Sequence, residues 1–286
     1  MGVLLILLAG LQVHEWGVIV QNPVSFTATP VLSAIPVEDP VYMFEDKAPV
    51  VYFHGDPCII DMRISFPAMG YATSILPEAS DGGINSTYAA WNRLELTDSP
   101  DNELSFGWPS CELSGLPAQL WREVDALDVV AYGCFDRFLY YECVPGSPGD
   151  LPFISQSGNQ SLRMPYGEIP CIVLTSAAGS PMYGVFTLAE ILNSIPKGLQ
   201  FLEHPEILRR ELWQWAEGTL NEDEFETFWG TWESSFIEDC MNGVVILYPV
   251  PEEILENIAS IEIIPDREME VEINRFVIAK LPYRTE

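Results

Sequence analysis

Only three histidines occur among the 286 residues, and two of them, His14 and His54, stand near carboxylates in strand-like sequence. His14 precedes Glu15, and His54 lies two positions before Asp56. Two imidazoles and two carboxylates are enough to hold a divalent cation. Mixed nitrogen and oxygen donors suit Zn²⁺, and oxygen donors alone suit Ca²⁺. The candidate metal ligands are therefore His14, Glu15, His54 and Asp56, and the candidate cofactor is a divalent metal, Ca²⁺ or Zn²⁺. Adjacent residues of a strand point to opposite faces, so His14 and Glu15 can share one ion only if the chain turns at Trp16-Gly17. The competing assignment is structural: His14 holds a loop through hydrogen bonds and Glu15 pairs with an arginine. Geometry separates the two. His14 and His54 side chains within about 5 Å of each other, with a carboxylate between them, speak for a metal. His204 precedes Pro205 at a helix start, where a structural role is expected.

Other chemistries leave fewer traces. The chain has no G-x-S-x-G elbow, no H-E-x-x-H helix and no phosphate-binding P-loop. Ser176 and Ser180 flank Ala-Ala-Gly, a turn composition. With 42 acidic residues, carboxylate pairs of the glycosidase kind are too numerous to single one out. Asp98, Asp101, Asn102 and Glu103 form an acidic loop suited to weak Ca²⁺ binding. Asn85 and Asn159 head glycosylation triplets. Six cysteines without a C-x-x-C pair argue against zinc knuckles and thioredoxin-type redox sites, and the even count suggests disulfides in an exported chain. Residues 134–143 read as one extended strand, which separates Cys134 from Cys143 by roughly 30 Å and predicts that they do not pair.

The elements that must position these residues are mostly strands. Residues 49–54 are β-branched and aromatic. Ile60, Met62, Ile64 and Phe66 then alternate with polar residues at a period of two. Strand patterns recur at 87–97, 128–143, 169–175 and 183–186, with 23 prolines and 20 glycines as punctuation. Near residue 187 the period changes. Thr187 and Glu190 make a capping box, Pro205 opens a helix that ends before Gly218, and Asn221 caps the next. Phe225, Phe228, Trp229, Trp232 and Phe236 fall on one stripe of that helix, so Phe228 and Trp232 are predicted to be buried against the β layer. Strands return at 244–250 after Gly243, Pro251 starts a short helix, and the apolar phase around Arg275 shifts as if at a bulge. The expected fold is α+β, mainly β: an antiparallel sandwich-like core with a helical insertion or covering layer at about 187–240. Residues 13–286 form a single co-folded domain. Residues 1–12 read as an apolar leader or a first strand; the run 3–9 is too short to span a bilayer as a helix.

A formal charge of −29 disfavours nucleic acid, for which no basic patch is present, and no membrane span is expected. Several segments, in order, resemble a family of uncharacterised, exported bacterial proteins of planctomycete type. Its members open with a His-Glu-Trp-Gly-Thr-Phe motif. Val13 to Val18 matches that opening, with Val18 in place of Thr. Ala48 to His54, Arg63 to Thr73, Arg137 to Tyr141 and Thr231 to Glu238 resemble later segments. Ile75-Leu76-Pro77 departs from the family's Trp-Tyr-Pro. The resemblance implies export and one co-folded unit, and brings no mechanism. The function expected is that of a secreted or envelope-associated β-rich protein acting by binding or assembly, with a protein or glycan partner and a homo-oligomer or surface assembly as candidate states. The rival expectation is a metal-dependent hydrolase built on His14, Glu15, His54 and Asp56.

Overall fold

A computed structural model describes residues 10–23, 42–108, 116–146, 151–156 and 159–283; the apolar run 3–9 and Cys111 lie outside them. The first half of the chain is strands: β1 (Gly10–Pro23), β2 (Tyr42–Gly55), β3 (Cys58–Ser65), β4 (Tyr71–Leu76), β5 (Asp81–Gly82), β6 (Tyr88–Thr97) and β7 (Ser105–Phe106). A short helix α1 (Ala118–Trp121) leads to β8 (Asp128–Ala131), β9 (Cys134–Asp136), β10 (Leu139–Val144) and a small hairpin of β11 (Phe153–Gln156) and β12 (Asn159–Leu162). Next come β13 (Pro170–Ala177), β14 (Ser180–Thr187), α2 (Leu188–Ile191), β15 (Gln200–Phe201), α3 (Pro205–Ala216) and α4 (Glu222–Asn242). The described chain closes with β16 (Val245–Pro249), α5 (Glu252–Ile258), β17 (Ser260–Pro265) and β18 (Glu270–Pro282).

These strands build a nine-stranded sheet in the order β15-β14-β13-β16-β18-β1-β2-β10-β4 and a second sheet ordered β17-β3-β6-β8-β9-β7, with β5 on β6. The expected α+β, mainly β architecture is the one that forms. In the large sheet every neighbouring pair is antiparallel except β1 and β18, which run parallel at its centre. Gly10 to Gln12 belong to β1, so the described part of the expected leader is sheet.

Each face of the large sheet has its own cover. On one face Tyr141 of β10 packs against Phe66, just past β3, with ring centroids 5.9 Å apart. On the other face lies α4. Its Phe228 meets Trp16 of β1 and Phe276 of β18 edge-on, at 5.8 and 5.2 Å. The stripe read from the sequence is buried along its length, at Phe225, Phe228, Trp229, Trp232, Phe236 and Cys240. Each such side chain withdrawn from water contributes about 1.5–3 kcal/mol, and this is what fixes α4 to the sheet. Both predicted anchors, Phe228 at 0% exposure and Trp232 at 8%, are buried.

Two local expectations are corrected. Residues 128–143 are three strands, not one. Tyr132 and Gly133, with φ of 51° and 81°, make a two-residue hairpin turn between β8 and β9, and the chain then crosses to the other sheet to begin β10. Cys134 and Cys143 thus sit in different sheets. No two of the five described cysteines are joined by a disulfide. The bulge expected at Arg275 is also missing: β18 keeps continuous register with β1 from Glu270 to Lys280. The apolar phase shifts because Phe276 to Leu281 are buried on both faces, whereas the first half of the strand is only partly covered. The register shift of this region falls instead on the β1–β2 pair, between Trp16 and Val18.

Candidate metal centre

β1 and β2 place the two histidines. His14 lies opposite Tyr52, and His54 lies opposite Gln12. Period-two alternation puts His14 and His54 diagonally on one face, and their ring centroids are 4.9 Å apart. Directly after His54 the chain bends away through Gly55, whose φ is +111°. A Cβ there would stand 2.2 Å from the Gly10 carbonyl, so only glycine permits this approach of β2 to the start of β1.

The carboxylate between the imidazoles comes from the helical layer. Glu224, in the first turn of α4, is fully buried. Its Oε2 lies 2.8 Å from His14 Nδ1, and its Oε1 lies 2.8 Å from His54 Nε2. The same Oε2 accepts the backbone N–H of Asn221 at 2.7 Å, the reach-back half of a capping box. Burial alone would raise the Glu224 pKa. The hydrogen bonds from His14 and His54, His14's charge and the Asn221 amide outweigh it and hold the group below the usual carboxylate range.

Beneath the cluster the sheet face is aromatic and buried. Trp16 packs edge-on against Trp121 at 6.0 Å, and the buried Tyr52 donates its hydroxyl to the Trp121 carbonyl at 3.0 Å. Burial, then the negative charge of Glu224, push the Tyr52 hydroxyl well above its ordinary pKa, so it stays neutral. Access is from the His54 side, whose side chain is 14% exposed against 7% for His14.

Of the four residues singled out in the sequence, the fold brings together His14 and His54 and leaves Glu15 and Asp56 apart. Glu15 points to the opposite face, as strand alternation requires. There its carboxylate accepts from the Tyr141 hydroxyl and from Arg275 Nε. Arg275 in turn donates to Glu256 at 3.1 Å and to the Ala259 carbonyl at 2.7 Å. Burial by itself would lower the Arg275 pKa. The Glu15 charge reverses this and raises it, so the guanidinium stays charged. This is the arginine partner of the structural assignment. Asp56 is exposed in the β2–β3 turn, where its backbone N–H donates to the Gly10 carbonyl at 3.3 Å. The acidic loop at Asp98 to Glu103 is exposed and closed internally by the Glu103 amide on Asp101 Oδ1. His204 is the N-cap position of α3, without a side-chain cap bond.

Glu224 was not among the sequence candidates. It stands with Glu222 and Asp223 in the first turn of α4, where the helix dipole favours any acidic residue. The signal available was its place three residues after Asn221, which marks a buried, aimed carboxylate only once the helix is known to dock on β1 and β2. Among the described residues, His14, His54 and Glu224 are the one group of three or more metal-ligating side chains whose donor atoms converge, all within 4.8 Å of one another. No protein-family model, no curated protein and no solved structure matches this chain.

Proposed function

We propose that this protein is a metalloprotein in which His14 Nδ1, His54 Nε2 and one oxygen of Glu224 hold a single divalent ion of the Zn²⁺ class, and that the ion serves a hydrolytic reaction. One observation carries this reading: three ligand atoms, from segments 170 and 210 residues apart, converge within 4.8 Å on one face of the sheet. Two imidazoles with one carboxylate suit Zn²⁺ rather than Ca²⁺. Zn–N and Zn–O bonds of about 2.0–2.2 Å in a tetrahedron put neighbouring ligand atoms roughly 3.3 Å apart. The 2.8 Å contact made by the coordinating oxygen would open by about half an ångström, and the other ligand separations, all within 4.8 Å, would close toward the same value as the second histidine leaves the other oxygen. Held by these three ligands, such an ion would supply Lewis-acid chemistry and lower the pKa of a water it bound. Glu224 is already ionised and needs no proton removed. An extracellular or envelope setting belongs to the same proposal, supported by the ordered motif resemblance.

The test is calorimetry on the full chain after chelator treatment, titrated with Zn²⁺. One ion per chain is expected. His14→Ala, His54→Ala or Glu224→Gln should weaken binding roughly 100-fold or more, beyond the cost of losing an outer partner, and Asp56→Ala should leave it unchanged. Ester hydrolysis that appears with Zn²⁺ and is lost in His54→Ala would extend the result to chemistry. Absence of saturable binding, or binding indifferent to His54→Ala, overturns the metal reading.

A further inference from the structure

The opposite end of α4 bears on a different cavity. At about 1.5 Å per residue, the stretch from Glu224 to Asp239 spans roughly 22 Å, so the two places share no side chain. A cavity of about 270 Å³ opens where α4 ends over β1, β16 and β18. Its polar lining is Lys280, Asp239, Gln21 and Asn242, and Val20, Val245 and Leu281 supply apolar wall. Lys280 is one of three lysines in the chain and is 8% exposed. Its Nζ donates to Ser235 Oγ at 2.7 Å and to Asp239 Oδ2 at 2.5 Å, and lies 5.6 Å from the Trp232 ring centroid.

The lining fixes the kind of guest. A buried ammonium and a carboxylate stand side by side, so the cavity carries both signs and no net charge. A ligand with charge of one sign only would be attracted by one group and repelled by the other. A ligand with both signs on neighbouring atoms meets each with its opposite and exchanges one ion pair for two. The ammonium has three N–H groups, of which Ser235 and Asp239 use two. Asp239 is 42% exposed along its side chain, which leaves it reachable from solvent. The volume lies under the roughly 300–1,000 Å³ of drug-sized sites, which suits a metabolite of few heavy atoms.

We propose that this cavity binds a free α-amino acid with an aliphatic side chain, its carboxylate on Lys280, its ammonium on Asp239 and its side chain against Val20, Val245 and Leu281. The site is independent of the metal centre and stands or falls separately.

The experiment is calorimetry of the full chain against L-leucine, L-leucinamide, which lacks the carboxylate, and N-acetyl-L-leucine, which lacks the ammonium. Leucine should bind saturably, and each derivative at least tenfold more weakly. Lys280→Met should abolish leucine binding. Asp239→Asn, at a half-exposed position that tolerates substitution, should weaken leucine at least tenfold while binding N-acetyl-L-leucine no more weakly than wild type, since the carboxylate that repels this anion is gone; it keeps the test alive if Lys280→Met fails to fold. No heat with leucine, a derivative that binds as tightly as leucine, or an Asp239→Asn variant that binds leucine like wild type would each overturn the proposal.

Discussion

Replacing Glu224 by glutamine keeps the volume and one carbonyl oxygen, and removes the charge on which two imidazoles converge. In the metal-free protein, His14 and His54 each address a different oxygen of a fully buried carboxylate at 2.8 Å. Hydrogen bonds to a charged group are worth about 1.5–3 kcal/mol net each. The amide keeps one acceptor and turns an NH₂ toward the other ring, so that bond survives only at the cost of a change of tautomer, and both bonds lose their charge assistance. The Asn221 cap survives on the remaining oxygen. The expected loss is about 2–4 kcal/mol, which for a chain of this size lowers Tm by roughly 3–7 °C. The sign with pH follows from the lowered pKa of Glu224. Its contribution is fully present above the unfolded-state value of about 4.3 and disappears as pH falls through the lower folded value. Scanning calorimetry of both proteins in chelator, at pH 7 and down through pH 4, measures it. The gap should be constant near neutrality and close in acid. A Glu224→Gln protein that melts within 1 °C of wild type at pH 7, by any reading a shift of about zero on this scale, would refute the claim that the carboxylate is a buried anion gripping two strands.

Further outcomes follow from other parts of the fold. Trp232→Ala should cost roughly 3–5 kcal/mol in urea denaturation, because the side chain is buried on α4 and stacks on Phe236 at 6.1 Å; an unchanged midpoint would mean that α4 is peripheral. Arg275→Met leaves Glu15 buried without its counter-charge and should destabilise by about 3–5 kcal/mol, whereas the double change Glu15→Leu with Arg275→Met should recover most of that loss. Burial and the nearby Glu190 push the Cys171 thiol up to about 12, so it should resist iodoacetamide in the native protein at pH 8 and react after unfolding, as mass spectrometry will show.

Much of this architecture is legible in the residues themselves. The aromatic stripe of α4 and the alternation of β3 each follow from a single period, and a period needs no knowledge of what packs on it. The hairpin at Tyr132-Gly133 escapes because tyrosine in a left-handed turn position is not the asparagine or aspartate that signals such turns. The phase change in β18 misleads for a related reason: an apolar pattern reports how many faces are covered as well as backbone geometry, and Phe276 to Leu281 are covered on both. At the site, the histidines are visible because they are scarce. Glu224 is not, since 42 acidic residues hide one buried carboxylate, and 210 positions separate it from His14. Glu15 attracts attention as the neighbour of His14, yet strand alternation sends it to the other face, where Arg275 waits on a strand 260 positions later.

The parallel pairing of β1 with β18 also sets an order of events at the ribosome. On one side of the seam lie β2, β10 and β4, and on the other β16, β13, β14 and β15; β18 is the plank between them. Until residues 270–282 leave the exit tunnel, β1 has its antiparallel neighbour on one side and an open edge on the other, and so does β16. Vectorial synthesis can therefore finish neither half. The β1 edge, rich in Val and Ile, is made long before β18 and waits for it, whereas the β16 edge is made only shortly before it. A circular permutant that supplies β18 ahead of β1 would close this seam early and is expected to aggregate less on refolding from urea than the natural order.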